Sequence, residues 1–210
     1  GRKVDIVTPN GFDSSIVPAK DEYAMKSEQA RAKLYQIAQT MCGVDCSDSA
    51  IVAISGRYEY KNKGIDLFVD ALAQANRSEK LGRNILAFIM VPAGVDGPEK
   101  ELAGKRATHR LSYPEYDSVL RRLEEVGLNN APENRVKVIF VPSYLNGNDG
   151  IFNMKYYDLL VGMDLTVFPS YYEPWGYTPL ESLAFGVPTV TTTLAGFGLW
   201  VQDHFASEHP

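Results

Sequence analysis

The chain has 210 residues, of which 45% are hydrophobic and 22% are charged, a composition typical of a soluble globular protein with a substantial core. Its net charge of -5 argues against electrostatic capture of nucleic acid. No apolar run approaches the roughly 18 to 20 residues that span a bilayer, and no secretory signal opens the chain. We therefore expect a cytoplasmic protein with neither a nucleic-acid partner nor a membrane partner.

Strand-like and helix-like stretches alternate along the chain, which predicts a parallel sheet with crossover helices. The predicted strands are 50–54, 84–91, 135–141, 165–168 and 187–192, and most of their residues are apolar or β-branched. The predicted helices are 21–41, 65–75, 113–126, 152–162 and 178–185, with another that begins at Leu199. No repeat or domain linker interrupts this pattern. The predicted fold class is α/β, with one doubly wound, Rossmann-like parallel sheet over residues 1–210.

Cysteine and histidine give little indication of a reactive or metal-binding site. Cys42 and Cys46 are the only cysteines, and no second Cys or His pair completes a set of four ligands. We expect no bound metal and two reduced, mostly structural thiols. His109, His204 and His209 have no metal-like or triad-like neighbours in sequence. We expect all three to be structural or solvent-facing.

The most informative segment is 169–181, Pro-Ser-Tyr-Tyr-Glu-Pro-Trp-Gly-Tyr-Thr-Pro-Leu-Glu. It follows a predicted strand and contains two carboxylates, Glu173 and Glu181. Thr178 predicts a helix N-cap, followed by Pro179 in the first turn. A strand, a tight turn and a helix N-terminus mark the edge where open α/β sheets bind ligands, and the free N–H groups there suit phosphate. Glu181 also fits a capping box with Thr178, which would be a purely structural role.

A basic loop, 56–64, follows the first predicted strand and has the sequence Gly-Arg-Tyr-Glu-Tyr-Lys-Asn-Lys-Gly. Arg57 and Lys63 are suited to hold a diphosphate, because charge-assisted hydrogen bonds contribute roughly 1.5–3 kcal/mol each. The alternative is a solvated surface loop without a ligand. The Gly-Phe-Gly run at 196–198 lacks the third glycine of a dinucleotide loop, and no P-loop motif is present, so neither NAD nor P-loop chemistry is expected.

The turn at 171–177, with Gly-Phe-Gly downstream, resembles the donor-site signature of the animal and fungal type of glycogen synthase. These enzymes are retaining glycosyltransferases with two facing Rossmann-like domains. The resemblance covers nearly the whole chain, at 7–11, 56–64, 89–93, 135–142 and 164–198. It implies a C-terminal nucleotide-sugar-binding domain. Because the chain opens without a methionine and stops just after a new helical pattern, we expect an excised domain that lacks the N-terminal acceptor and catalytic half.

The resemblance assigns catalytic roles to Arg57, Lys63 and Glu173. Arg57 and Lys63 match an arginine and a lysine, six positions apart, that bind the donor diphosphate in that family. Glu173 matches a position that contacts the sugar near C3 and C4. A nucleophilic role for Glu173 is the alternative, since a carboxylate can form a covalent glycosyl intermediate. The implied mechanism is front-face retention, in which the leaving phosphate assists deprotonation of the acceptor.

The resemblance also implies a donor-binding set, namely Tyr156, Trp175, Gly176, Tyr177, Thr178 and Glu181. The four turn residues would offer backbone amides to the distal phosphate, and Glu181 would bind ribose hydroxyls. Tyr156 matches a tyrosine that stacks on the base. Core packing is the alternative for Tyr156, which has a second tyrosine, Tyr157, beside it. The segment 141–145 ends a strand at the same edge and is expected to offer backbone groups to the base.

For the intact enzyme the resemblance implies retaining transfer of glucose from UDP-glucose, or else from ADP-glucose, to the non-reducing end of an α-1,4-glucan such as glycogen. No cofactor is implied, and a homo-oligomer is expected. This chain alone is expected to bind nucleotide without transferring glucose. Two other functions would use the same residues. One is another retaining glycosyltransferase, such as a sucrose synthase-like or general sugar transferase, and the other is a nucleotide-binding module without catalysis.

Overall fold

The computed structural model describes residues 8–205, in which helices and strands alternate along most of the chain. The helices are α1 (Lys20–Cys42), α2 (Ile65–Arg77), α3 (Ser118–Glu125), α4 (Tyr156–Leu160), α5 (Tyr177–Ala184) and α6 (Gly196–Phe205). The strands are β1 (Ala50–Ser55), β2 (Ile85–Met90), β3 (Val95–Pro98), β4 (His109–Leu111), β5 (Val136–Val141), β6 (Leu165–Phe168) and β7 (Thr189–Thr191). Short 3-10 helices lie at Ser14–Ile16 and Pro114–Tyr116. His209 and the start of the 7–11 segment lie outside the described residues.

The five strands predicted from sequence are confirmed, but two predicted helices are shorter than expected. The predicted helix 113–126 begins only at Ser118, because the Asp117 carboxylate caps it there by accepting the Leu120 N–H at 2.8 Å. The predicted helix 152–162 begins only at Tyr156. Ahead of it, the Asp149 carboxylate accepts three successive backbone N–H groups at 2.8 to 3.2 Å, which holds that stretch in a compact turn instead of a helix.

Five strands form one parallel sheet in the order β5-β2-β1-β6-β7. This arrangement, in which the chain moves outward in one direction from β1 and then returns to the other side of it, is Rossmann-like and confirms the predicted fold class. The central strands are continuous apolar runs because helices cover both faces of the sheet. The order reverses between β1 and β6, and the carboxyl ends of these two strands therefore lie side by side.

Two hydrophobic clusters, one on each face, hold the layers together. The first packs α1 and α4 against the sheet and includes Leu34, Phe88 and Phe152. The second packs α2 and α3 against the opposite face and includes Phe68 and Phe140. Each central strand contributes alternate residues to the two clusters, as the period of a strand requires. In the part of the chain that the structure describes, none of the helices combines the length and apolar character needed to cross a bilayer.

A short antiparallel hairpin of β3 and β4 was not predicted from sequence, which indicated only a loop at 94–98. The residues just before β4 lie against the outer edge of the parallel sheet. The Phe140 N–H donates to the Arg106 carbonyl, and the Thr108 N–H donates to the Phe140 carbonyl, both at 2.9 Å. The segment therefore satisfies backbone groups of β5 that an open sheet edge would leave unpaired.

The N-terminus of α2 lies directly against the end of β6 because Gly64 has no side chain. Gly64 adopts φ of +66°, and a Cβ atom there would lie 2.1 Å from the Pro169 carbonyl oxygen. The two loops after β1 and β6 can therefore touch through their backbones. Tyr171 N–H strengthens this contact by donating to the Asn62 carbonyl at 2.9 Å.

We predict that Gly64→Ala destabilises the chain far more than Gly43→Ala. Gly43 has a similar φ of +68° but no atom within 4 Å of its missing Cβ, so it measures the left-handed backbone penalty alone. That penalty is about 1–2 kcal/mol. We expect Gly64→Ala to lose a further ~2 kcal/mol from the clash with Pro169, measured as the free energy of unfolding in urea. Equal losses in the two variants would show that the loops are not in close contact.

Candidate functional site

A cavity of about 360 Å3 opens at the carboxyl ends of the parallel strands, next to the switch point between β1 and β6. Its walls come from the ends of β1, β2 and β5, from α4 and from the start of α5. The lining residues are Ser55, Gly56, Arg57, Met90, Pro92, Ser143, Tyr144, Leu145, Asn146, Tyr156, Thr178 and Glu181. This is the edge at which open α/β sheets bind their ligands. Of the residues predicted for the site, the cavity brings together Arg57, Tyr156, Thr178 and Glu181.

The loop 56–64 presents Arg57 at the rim of this cavity. The Arg57 side chain is 73% exposed, and its Nη1 lies 2.9 Å from Oε1 of Glu59. The other oxygen of Glu59 accepts from the Asn62 side-chain amide at 2.9 Å. The backbone of Glu59 also bonds to Arg57 O and Lys63 N, each at 2.8 Å. Glu59, which sequence reasoning passed over, thus organises the loop that carries both predicted cations.

Lys63 and Glu173 form an ion pair that joins the loop after β1 to the turn after β6. Their side chains are only 15% and 17% exposed. Such shielded charges need partners, because desolvation of an unpaired charge is costly. The structure therefore places two of the predicted catalytic residues in direct contact, at the same edge of the sheet as the cavity, although neither residue lines the cavity itself.

The start of α5 differs from the sequence prediction. Thr178 was expected to be the N-cap, but the N-cap is Gly176, which has φ of +97°, and Tyr177 is the first helical residue. The left-handed conformation of Gly176 starts the helix two residues earlier than predicted. Pro179 is then the third residue of α5, where a backbone N–H has no partner within the helix and its absence costs nothing. Among residues 8–205, no acceptor is found for the N–H groups of Gly176, Tyr177 and Thr178.

The predicted capping box between Thr178 and Glu181 is absent for the same reason, since Glu181 lies fifth in α5 and not third. Its carboxylate faces the cavity and accepts a hydrogen bond from the Tyr157 hydroxyl at 2.9 Å. The alternative that Glu181 forms a capping box with Thr178 is therefore wrong.

The Trp175 side chain does not line the cavity. Its ring packs against those of Phe197 and Trp200, with centroids 5.8 and 6.4 Å away. Backbone hydrogen bonds from Gly196 N to Glu173 O at 3.0 Å and from Phe197 N to Trp175 O at 2.7 Å fasten the turn to α6. A Cβ on Gly196 would lie 2.3 Å from the Pro174 carbonyl, so the Gly-Phe-Gly run allows this close packing.

Tyr156 and Tyr157 have different environments although they are adjacent. The Tyr156 hydroxyl shares a 2.7 Å hydrogen bond with the Ser55 hydroxyl, and its ring lines the cavity. Tyr157 lies behind it, stacked on Phe185 with ring centroids 5.2 Å apart. Burial raises the pKa of both phenols, to about 12 for Tyr157, where the hydrogen bond to Glu181 adds to the effect. Both are therefore protonated near neutral pH.

Four consecutive lining residues, Ser143 to Asn146, come from the loop after β5. Sequence reasoning placed the segment 141–145 at this edge and gave it only a backbone role. Tyr144 is the most exposed aromatic in the cavity wall, with 75% of its surface accessible. Its position just after a strand that ends at the sheet edge is the sequence signal that indicates a side chain in the cavity wall.

The histidines and cysteines show no sign of a reactive centre. His109 is buried, with Nε2 2.8 Å from the Asp149 carbonyl, so its role is structural. His204 stacks on Trp200 at 4.7 Å. Cys42, the last residue of α1, and Cys46, in the loop that follows, are free thiols. Across residues 8–205, no three His, Cys, Asp or Glu side chains are grouped so that they could hold a metal ion.

Comparison with known proteins decides the family. A sequence model described as glycogen synthase matches residues 1–100 and 99–210. The chain belongs to the glycogen synthase family. The glycogen [starch] synthase isoform 2 of Saccharomyces cerevisiae is 30% identical over 96% of this chain and 40% of its own length. The liver enzyme of Mus musculus is 29% identical over 98% of the chain and 39% of its length.

The chain thus spans about 40% of the length of the curated relatives that it matches. The alignment with the yeast relative runs over 279 residues, more than the 210 of this chain, so the relative has additional residues inside the matched region. The two matched segments meet at residues 99 and 100, directly after β3. A surface loop between two hairpin strands accommodates such insertions at little cost in stability.

Among solved structures, the chain is similar to Anabaena Alr3699/HepE in complex with UDP, at 18% identity and a TM-score of 0.49 over 89% of this chain and 38% of that one. Another is WaaG, a glycosyltransferase involved in lipopolysaccharide biosynthesis, at 20% identity and a TM-score of 0.45 over 81% of this chain and 35% of that one. Likeness at this level assigns no ligand to the present chain.

The half-buried Tyr156 phenol, which is hydrogen-bonded to Ser55, predicts a loss of stability in alkali. Its pKa lies above the ordinary value of 10, so above pH 10 the unfolded chain ionises while the folded chain stays protonated. Stability is then lost as pH rises, by about 1.4 kcal/mol per pH unit for this one group. Between about pH 10 and about pH 11, the free energy of unfolding should therefore fall less steeply in Tyr156→Phe than in the parent, by roughly that amount per pH unit. An unchanged slope would mean that the phenol is not shielded.

Proposed function

We propose that this chain is the donor-binding half of a glycogen synthase, and that the cavity beside β1 and β6 holds the nucleotide sugar. The intact enzyme would transfer glucose from UDP-glucose to the non-reducing end of an α-1,4-glucan, with retention of configuration. The observation that carries the proposal is the convergence of Arg57, Glu181, Tyr156 and the Lys63–Glu173 pair at this one edge. Family membership supports it independently.

The diphosphate is proposed to lie between the cationic loop and the start of α5. Arg57 offers a guanidinium at the cavity rim, of which one nitrogen is bound by Glu59 and the remaining donors stay available. The N–H groups of Gly176, Tyr177 and Thr178, together with the helix dipole, favour a phosphate at the N-terminus of α5. These are fixed donors, which need no rearrangement as charge develops on the leaving group.

Lys63 and Glu173 are proposed to exchange partners when the donor binds. In the structure each neutralises the other. An incoming diphosphate supplies Lys63 with a new anion, which frees the Glu173 carboxylate to accept hydrogen bonds from the glucose hydroxyls. Both residues can contact the donor, as catalytic residues must, only if this exchange of partners takes place. Glu173 serves here as a sugar-binding group, while the leaving phosphate assists deprotonation of the acceptor.

The nucleoside is proposed to fill the apolar part of the cavity. Its base would lie between Tyr144 and Tyr156, since aromatic rings stack on bases irrespective of base identity, and its ribose would face Glu181. Trp175 contributes only its backbone, because its ring packs on α6. The tyrosines alone do not distinguish uracil from adenine, so ADP-glucose is the alternative donor.

For the whole protein we also propose a cytoplasmic homo-oligomer that acts on glycogen and needs neither cofactor nor metal. The rival functions are another retaining glycosyltransferase and a nucleotide-binding module without catalysis. Transfer by the full-length enzyme to a small sugar but not to glycogen would favour the former.

We predict that UDP binds this chain and that Arg57→Ala weakens its affinity by about tenfold, because one charge-assisted hydrogen bond to the diphosphate is lost. Arg77→Ala, at the far end of α2 and exposed, is the matched control and should bind UDP as the parent does. Calorimetric titration with UDP and ADP in parallel gives both the affinity and the base preference. If Arg57→Ala binds UDP as tightly as the parent, Arg57 does not contact the diphosphate and the loop 56–64 is a solvated surface loop.

A further inference from the structure

The Glu181 carboxylate has one protein partner in the part of the chain that the structure describes, and that partner is Tyr157. The phenol donates to Oε1 at 2.9 Å, and no salt bridge to Glu181 is found within residues 8–205. Oε2 is therefore left to a ligand in the cavity that Glu181 lines. A glutamate side chain has three rotatable bonds, so a single anchoring hydrogen bond decides how much freedom it retains.

Tyr157 is itself firmly held, which makes it a suitable anchor. Its ring stacks on Phe185 with centroids 5.2 Å apart and planes 13° from parallel. Phe185 is 1% exposed and lies one turn after Glu181 on the same stretch of chain. The Tyr156 ring covers another side at 5.4 Å. Because burial keeps the pKa of Tyr157 near 12, the phenol remains a hydrogen-bond donor throughout the neutral range.

We propose that Tyr157 is a positioning residue that holds the Glu181 carboxylate ready for the ribose hydroxyls and thereby sets selectivity for nucleoside diphosphates that carry both of these hydroxyls. The inference rests on the proposed nucleotide site. Tyr157 acts from behind the cavity wall, since it does not line the cavity itself. A pre-oriented acceptor binds a pair of hydroxyls more tightly than a free side chain, because less conformational entropy is lost on binding.

The alternative is that Tyr157 only fills space against Phe185. The Tyr157→Phe variant separates the two roles, because it keeps the stacked ring and removes only the hydroxyl. A packing role predicts unchanged nucleotide selectivity for that variant. A positioning role predicts that Glu181 loses its orientation and that selectivity falls.

The test is calorimetric titration with UDP and with 2′,3′-dideoxyuridine diphosphate, which lacks both ribose hydroxyls. The readout is the ratio of the two affinities. We expect Tyr157→Phe to bind UDP about tenfold more weakly than the parent and to bind dideoxy-UDP with unchanged affinity, so that the ratio falls about tenfold. The Glu181→Gln variant should show a similar ratio. In the double variant, the loss of UDP binding free energy should be smaller than the sum of the two single losses, because both substitutions disrupt the same Tyr157–Glu181 pair. Tyr35 lies on α1, and its hydroxyl donates to the Ser49 carbonyl and accepts from Arg31. The Tyr35→Phe variant removes that hydroxyl away from the cavity and should keep the parent ratio.

The titrations distinguish a failure of the role of Tyr157 from a failure of the proposed nucleotide site. If Glu181→Gln loses the selectivity while Tyr157→Phe retains it, the nucleotide site stands and the role of Tyr157 is overturned. If the parent chain binds neither nucleotide, or if Glu181→Gln leaves the ratio unchanged, the proposed ribose contact is overturned together with the inference.

Discussion

The ion pair between Lys63 and Glu173 is the interaction on which the site depends. It joins the loop after β1 to the turn after β6, and both side chains are largely shielded from water. Neither charge can leave the other without a replacement partner, because an unpaired charge in such surroundings is strongly disfavoured. A ligand that supplies both an anion and hydroxyl groups meets this condition. In the proposed donor complex, the diphosphate and the glucose hydroxyls would be those replacement partners.

The sheet topology brings the two residues together. Because β1 pairs with β6 in parallel, their carboxyl ends lie at the same edge. Glycines then allow the loops to approach: Gly64 lies against the Pro169 carbonyl, and Gly196 lies against that of Pro174. The turn that carries Glu173 is thus fixed on one side by α2 and on the other by α6. Such support from rigid elements keeps binding groups in position before the ligand arrives.

The sequence predicts the sheet well because its central strands are continuous apolar runs. It indicates Arg57 and Lys63 as candidate phosphate-binding residues because their loop directly follows one of these strands. It predicts local chemistry less well. Thr178 has the sequence pattern of an N-cap, but the positive φ of Gly176 starts the helix earlier, and that conformation depends on tertiary contacts with α6. The contact between Tyr157 and Glu181 joins two helices, so no local pattern indicates it.

A crystal structure of the chain with UDP tests the central claim most directly. The account predicts the diphosphate at the N-terminus of α5, with Lys63 Nζ turned from Glu173 to a phosphate oxygen and the base beside Tyr156. UDP bound elsewhere, for example in the cavity of about 660 Å3 between the hairpin and α3, with the Lys63–Glu173 pair intact, would contradict it.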